Sequence, residues 1–420
     1  MRALGTLWAG AATLAAPGLR LLLARRLLRG KEIAARLPER RGIDPTPRPP
    51  GRLVWLHAAS VGESLSVLPV LAAMDASVSV LLTTGTVTSA RLLDRLLPDM
   101  DLAGRVRHRF VPLDVPAWAG RFLDHWRPDA AGFVESEVWP NMLAACAKRG
   151  IPTMLVNARL SARSFAKWRR LPGLATLLFG GFARVQAQSA EDAARLSALG
   201  ARDVSAPGNL KFAAAALPAD PGELAALRAA IPGPAWIAAS THPGEEAAVL
   251  DAHRTLASAH PGLTTIIAPR HPDRGAAVAA LAAGLPVTRR ALGEPPAPGV
   301  HVADTLGDLG LFYRLGAPVF VGGSLVRHGG QNPLEPARLG APVAVGPHTG
   351  NFAEAVALLR AAGALTVLEG PAALAPWADA LLRDPVRRAA MGHAGQGAAD
   401  RFADLPRHVA ETLLGLMRGD

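Results

Sequence analysis

Short apolar runs recur along most of this 420-residue chain, each followed by a longer stretch of helical character. In the first half they fall at 53–57, 78–82, 106–111, 130–134, 153–156 and 185–187. After a gap they resume at 235–239, 264–268, 300–303, 318–321 and 342–345. Runs of this length alternating with helices predict parallel sheets covered by helices on both faces. The gap carries AAAALPADPG at 213–222, small residues followed by prolines, which reads as a hinge between two α/β halves. Two halves also suit the length, which exceeds what one core usually holds. In open α/β folds ligands bind at the carboxyl ends of the strands, so a cleft between two such ends is expected. The last helical stretch, near 405–417, could pack back on the first half.

The N-terminus breaks this pattern. Residues 4–24 (LGTLWAGAATLAAPGLRLLLA) are apolar except for Pro17 and Arg20, and about long enough to cross a bilayer. Residues 1–52 hold eleven Arg and Lys against three acids, so most of the formal charge of +11 sits there. Such a distribution does not fit a nucleic-acid binder. It suits a membrane anchor over residues 1–30, spanning or interfacial, followed by a basic linker over 31–52 drawn to anionic lipid. A cleaved secretory signal fits less well, because the basic block follows the apolar run. Cys146 is the only cysteine, and the twelve histidines show no metal-ligand spacing. No metal and no cofactor is expected.

Several strand ends carry candidate chemistry. Glu63 closes the turn His57-Ala58-Ala59-Ser60-Val61-Gly62-Glu63 after the first strand. It can serve as a general base or merely complement a helix N-terminus, whose dipole would lower its pKa. Glu135 and Glu137 lie in ESEVWPN after the fourth run, either orienting substrate or capping the helix that Pro140 begins. Lys211, in GNLKF, is one of only four lysines against 41 arginines, a chance survivor or a compact point charge. In the second half Ser240-Thr241-His242 and Pro269-Arg270-His271-Pro272 follow strands, and Arg270 can pair with a phosphate. Asp304 to Asp308 (DTLGD) is a turn whose first residues could cap a helix. The run 322–352 (GGSLVRHGGQNPLEPARLGAPVAVGPHTGNF) passes from a strand through a glycine pair into a helix near Asn332. That order predicts an anion held by backbone amides.

HAASVGE, ESEVWPN, NARLSARS, GNLKF, STHPGEE, APRHPDR, GGSLVRHGGQNPLEP and GPHTGNF occur in that order. Together they resemble the 3-deoxy-D-manno-octulosonic acid (Kdo) transferases, from the anchor to about residue 355. The resemblance implies a GT-B glycosyltransferase: two Rossmann-like domains facing a central cleft, with an N-terminal membrane-anchoring helix. Residues 53–212 would bind the acceptor and 223–420 the donor CMP-Kdo. The acceptor would be a lipid A precursor, lipid IVA, at the cytoplasmic face of the inner membrane. Glu63 resembles the family's general base, and Glu135 and Lys211 its transition-state-stabilising positions. Pro269, Arg270, Leu306, Gly307, Asp308, Asn332, Pro333, Leu334 and Glu335 resemble its CMP-binding segments. Gln331, Pro243, Gly350, Ser136 and Val138 depart from the family pattern, and Gln331 stands where it could alter a donor contact. Other readings are a GT-B enzyme or epimerase using a UDP-sugar, and a non-catalytic nucleotide- or lipid-binding protein at the membrane.

Overall fold

The computed structural model describes residues 2–418 and divides into two compact units. One holds Met1–Ala214 together with Phe402–Asp420, the other Ala215–Arg401.

The first unit is built on strands β1 (Leu53–His57), β2 (Ser79–Thr84), β3 (Val106–Phe110), β4 (Ala130–Val134), β5 (Thr153–Ala158), β6 (Arg184–Ala187) and β7 (Val204–Ser205). All pair in parallel, in the order β3-β2-β1-β4-β5-β6-β7. The chain winds outward from β1 to β3 and then returns to lay β4 on the other side of β1. That reversal makes the carboxyl ends of β1 and β4 the topological switch point, where a crevice opens. β1 is buried throughout because both faces are covered. Leu53 and Trp55 join one core with Phe122, Trp126 and Phe133, while Val54 and Leu56 join another with Val67, Leu71 and Leu413. Trp55 keeps its indole N–H satisfied on the Thr83 hydroxyl, 2.8 Å away. The helix Leu405–Arg418 belongs to this second core through Val409 and Leu413.

The second unit repeats the plan with β8 (Ala235–Thr241), β9 (Thr264–Pro269), β10 (Val287–Arg289), β11 (Gly299–Val302), β12 (Val319–Val321), β13 (Val343–Val345) and β14 (Leu365–Val367). The order is β10-β11-β9-β8-β12-β13-β14, again all parallel. Here the switch point falls between β8 and β12. Trp236 repeats the Trp55 device, with its indole on the Thr265 hydroxyl at 2.7 Å.

The N-terminal apolar segment forms one helix, Arg2–Leu28, uninterrupted at Pro17. Within residues 5–28 only Leu23 is buried, against Val115 and Trp118 of the first unit. Leu7, Leu14, Leu21 and Leu28 are exposed. The basic linker is less free than its composition suggests. Arg40 is buried, pairs with Glu32 at 3.0 Å and donates to the carbonyls of Thr84, Gly85 and Val111. Arg36 pairs with Glu39, and Arg48 donates to the carbonyls of Trp126 and Arg127. Arg20, Arg25, Arg29 and Lys31 remain exposed.

Candidate active site

In the first unit the helix Val61–Ala73 starts at the carboxyl end of β1, capped by Ser60. Glu63 sits in its first turn and reaches back. One carboxylate oxygen accepts from the Ala59 N–H at 2.7 Å and the other from the Ser60 hydroxyl at 2.8 Å, while the Glu63 N–H donates to Ser60 Oγ. This reciprocal arrangement is a variant of the capping box, with the Ala59 N–H in place of the N-cap's own, so Glu63 does complement the helix start. Its pKa nevertheless moves upward, against the expectation from the dipole. Burial is the main cause; the Ser60 and Ala59 hydrogen bonds oppose it, and the nearby charges of Glu137 and Glu135 add to it. Each oxygen keeps a lone pair, and a carboxylate with a raised pKa is a stronger base at neutral pH.

Glu135 follows β4 with φ of 59°, a left-handed conformation costly for glutamate. Its Oε1 lies 2.6 Å from Lys211 Nζ. Glu137 does not cap the helix Pro140–Lys148, whose N-cap is Trp139. Instead it accepts from the Trp139 indole at 2.6 Å and stands 3.5 Å from Nε2 of the buried His57. Burial pushes the Glu137 carboxyl up, but His57 and Trp139 outweigh it and hold it below its ordinary range.

Lys211 is carried by a short turn, Leu210–Ala213, clamped from two sides. Asn157, at φ of 53° where β5 loses register with β6, accepts the Leu210 N–H on its side chain at 2.9 Å. On the other side the Phe402 ring covers Gly208, where a Cβ would come within 2.4 Å of it. Asn157 opens the motif NARLSARS, but nothing in the sequence pointed to this role for it, and Phe402 carried no signal at all. Asn157 lies inside a strand, and Phe402 is 194 positions beyond the glycine it covers.

In the second unit one cavity gathers Pro269, Arg270, Leu306, Gly307, Asp308, Asn332 and Glu335, together with Ser240, Thr305 and Gln331. Pro333 and Leu334 are buried and do not line it. Burial raises the Glu335 pKa against the Asn332 hydrogen bond and the Arg270 charge. Asp308 is engaged by Arg290 and Thr305, which overcome burial and hold it below its ordinary range. Asp304 does not cap the helix that follows it; it pairs with Arg289 at 2.7 Å and accepts the Ala291 N–H at 2.9 Å, and Asp308 is the N-cap of the helix Leu309–Tyr313.

The glycine pair does not work as the sequence suggested. The amides there are already filled. The fully buried Glu245 carboxylate accepts from the N–H groups of Gly323, Ser324 and Leu325 at 2.7, 3.0 and 2.9 Å, and from His242 N–H at 2.9 Å. The following helix, Leu334–Arg338, is one turn of five residues ended by Gly340 at φ of 77°. An anion bound in this unit therefore has to be met by side chains and other loops.

Residues 35–214 match the family model described as 3-Deoxy-D-manno-octulosonic-acid transferase (kdotransferase). A 3-deoxy-D-manno-octulosonic acid transferase of Bordetella pertussis is 36% identical over 87% of this chain and 88% of its own length. This chain belongs to the Kdo transferase family. The corresponding transferase of Haemophilus influenzae is 34% identical, over 86% of this chain and 88% of its own. Family members are glycosyltransferases, and so is this chain. Among solved structures, a UDP-GlcNAc 2-epimerase from Neisseria meningitidis bound to UDP-GlcNAc covers 87% of this chain and all of its own, at 17% identity and a TM-score of 0.56. A glycosyltransferase from Rickettsia africae reaches the same TM-score at 12% identity, covering 89% of this chain and all of its own. Both likenesses concern the fold, and with the paired parallel sheets they identify it as GT-B.

Proposed function

We propose that this Kdo transferase moves Kdo from CMP-Kdo to a lipid A precursor, lipid IVA, in one inverting displacement. The observation that carries the donor reading is the cavity holding Arg270, the 306–308 turn, Asn332 and Glu335 together. Glu335 suits ribose hydroxyls and Arg270 the phosphate. Glu63 takes the proton from a primary hydroxyl of the acceptor glucosamine as that oxygen bonds to the anomeric carbon of Kdo. The bond from that carbon to the CMP oxygen breaks, and CMP leaves with the electron pair. Lys211, held by Glu135, steadies the charge that develops. CMP is a good leaving group, so the scheme needs no metal.

The apolar helix Arg2–Leu28 supports a membrane anchor, since its leucines are exposed. The exposed Arg20, Arg25, Arg29 and Lys31 suit the anionic headgroups of the cytoplasmic face of the inner membrane. A transfer assay with CMP-Kdo and a tetra-acylated lipid A precursor, read by product mass, tests the whole reading. A product heavier by one or more Kdo units is expected, with inhibition by CMP and not by UDP. Inhibition by UDP alone would transfer the site to a UDP-sugar.

A further inference from the structure

Ser240 has a backbone conformation that serine seldom takes. Its φ is 56°, in the left-handed region. The strain coincides with a register shift of β8 against β9 between Ala239 and Thr241. Ser240 is thus the extra residue of a bulge, a device that re-aims a side chain at a sheet end. The surroundings hold it there. Its carbonyl lies so close to Gly322 that a Cβ on that glycine would stand 2.6 Å from the oxygen. The next residue, Thr241, accepts the Arg270 N–H at 3.0 Å, which ties the ends of β8 and β9 together. The Glu245 carboxylate fixes the loop beyond Gly322.

The bulged residue lines the same cavity as Arg270 and Gln331. Its hydroxyl makes no hydrogen bond among the described residues. The cavity also carries two carboxylates: Asp308, already paired with Arg290, and Glu335, which feels the Arg270 charge. With the Gly323, Ser324 and Leu325 amides filled by Glu245, the anion of a nucleotide is left to side chains and other loops. Ser240 and Arg270 start from the ends of neighbouring strands, and no other pair in the cavity joins an idle hydroxyl to a guanidinium.

We propose that the Ser240 hydroxyl donates a hydrogen bond to the phosphate of the nucleotide donor, beside the Arg270 guanidinium, and that the left-handed bulge serves to place it there. This rests on the donor reading given above.

Ser240→Gly and Ser240→Ala test it in the full chain, held in detergent and titrated calorimetrically with CMP and with cytidine. Glycine adopts the left-handed conformation freely, so Ser240→Gly should leave the melting temperature unchanged or raise it. It should weaken CMP binding on the order of tenfold or more, as expected for a lost hydrogen bond to a charged group. Cytidine, which lacks the phosphate, should bind both variants as it binds the parent. Ser240→Ala should show the same selective loss without the gain in stability. Unchanged CMP affinity in Ser240→Gly overturns the proposal, and so does an equal loss for CMP and cytidine. A parent protein that binds cytidine as tightly as CMP also overturns it, while leaving the nucleoside site standing. A parent that binds neither removes the donor reading itself.

Discussion

Lys211 holds its ammonium 2.6 Å from a carboxylate oxygen of Glu135, a residue that itself accepts a strained backbone at the end of β4. The lysine side chain is 43% exposed, so solvent screens the pair and its worth to stability should stay below about 1 kcal/mol. Its worth to catalysis should be far larger. Lys211→Ala and Glu135→Gln should each lower kcat by roughly 100-fold or more. Because the two act as a unit, the double variant should lose much less than the product of the single losses. Steady-state kinetics beside thermal melts separate the two effects. Losses that multiply would mean that the pair does not act as one group.

Glu63→Gln should keep CMP binding and lose turnover by about 100- to 10,000-fold, the range for a general base. The parent enzyme should show a matching pH dependence. A base works ionised, and burial raises the Glu63 pKa above its ordinary 4.5. The rate should therefore fall as pH drops through a value higher than 4.5, and this acid limb should vanish from the residual rate of Glu63→Gln. The sign for stability is opposite. The fold favours the protonated acid, so what Glu63 contributes is present below 4.5 and is lost as pH rises through the elevated pKa.

Glu245→Ala removes the acceptor from four backbone N–H groups around the second switch point. Each buried unpaired donor costs about 1–3 kcal/mol, so the total should exceed roughly 3 kcal/mol. Calorimetry should register a melting temperature lower by roughly 10 °C. Glu245→Gln keeps one acceptor oxygen and should fall between the two.

Removing residues 1–30 should release the protein from anionic vesicles into the soluble fraction in a flotation assay. The cut also uncovers Val115 and Trp118, which Leu23 covers, so the shortened protein should aggregate more readily than detergent-held full chain. Persistent vesicle binding would give the membrane contact to another surface.

Arg40→Met tests how far the basic linker is structural. It takes from the buried Glu32 carboxylate one of its two arginines, Arg26 remaining at 2.8 Å, and removes the donor from three carbonyls, so the loss should be about 1–3 kcal/mol. Chemical denaturation should show that loss. Arg25→Gln, on an exposed residue, should leave stability unchanged and weaken only vesicle binding.

Most strands were legible from their apolar runs, β3 among them although it lies at a sheet edge and is buried only at alternate positions. Eleven of them announced themselves as apolar runs. The three that did not, β7, β10 and β14, all lie at sheet edges. There one flank faces solvent and residues such as Thr288, Arg289 and Thr366 interrupt the apolar signal. Most residues of the second unit's cavity could be read from motifs, because each loop leaves one strand end. What could not be read was which partner claims a given loop. The glycine pair at 322–323 looked ready for an anion, and nothing local showed that Glu245, which follows β8 four strands earlier in the chain, would supply it. The strain at Glu135, Asn157 and Ser240 is likewise invisible in composition, since none of them is glycine.

The clamp on Lys211 has a bearing on biosynthesis. Gly208 and Lys211 leave the ribosome long before Phe402, with the entire second unit made in between. Helix Leu405–Arg418 supplies Val409 and Leu413 to the core behind β1. A nascent chain halted at the hinge therefore has a first sheet but an open flank and an untethered lysine turn. The first unit becomes whole only after the second has been translated, so a truncated product would carry Glu135 and Lys211 without the support that holds their pair in place.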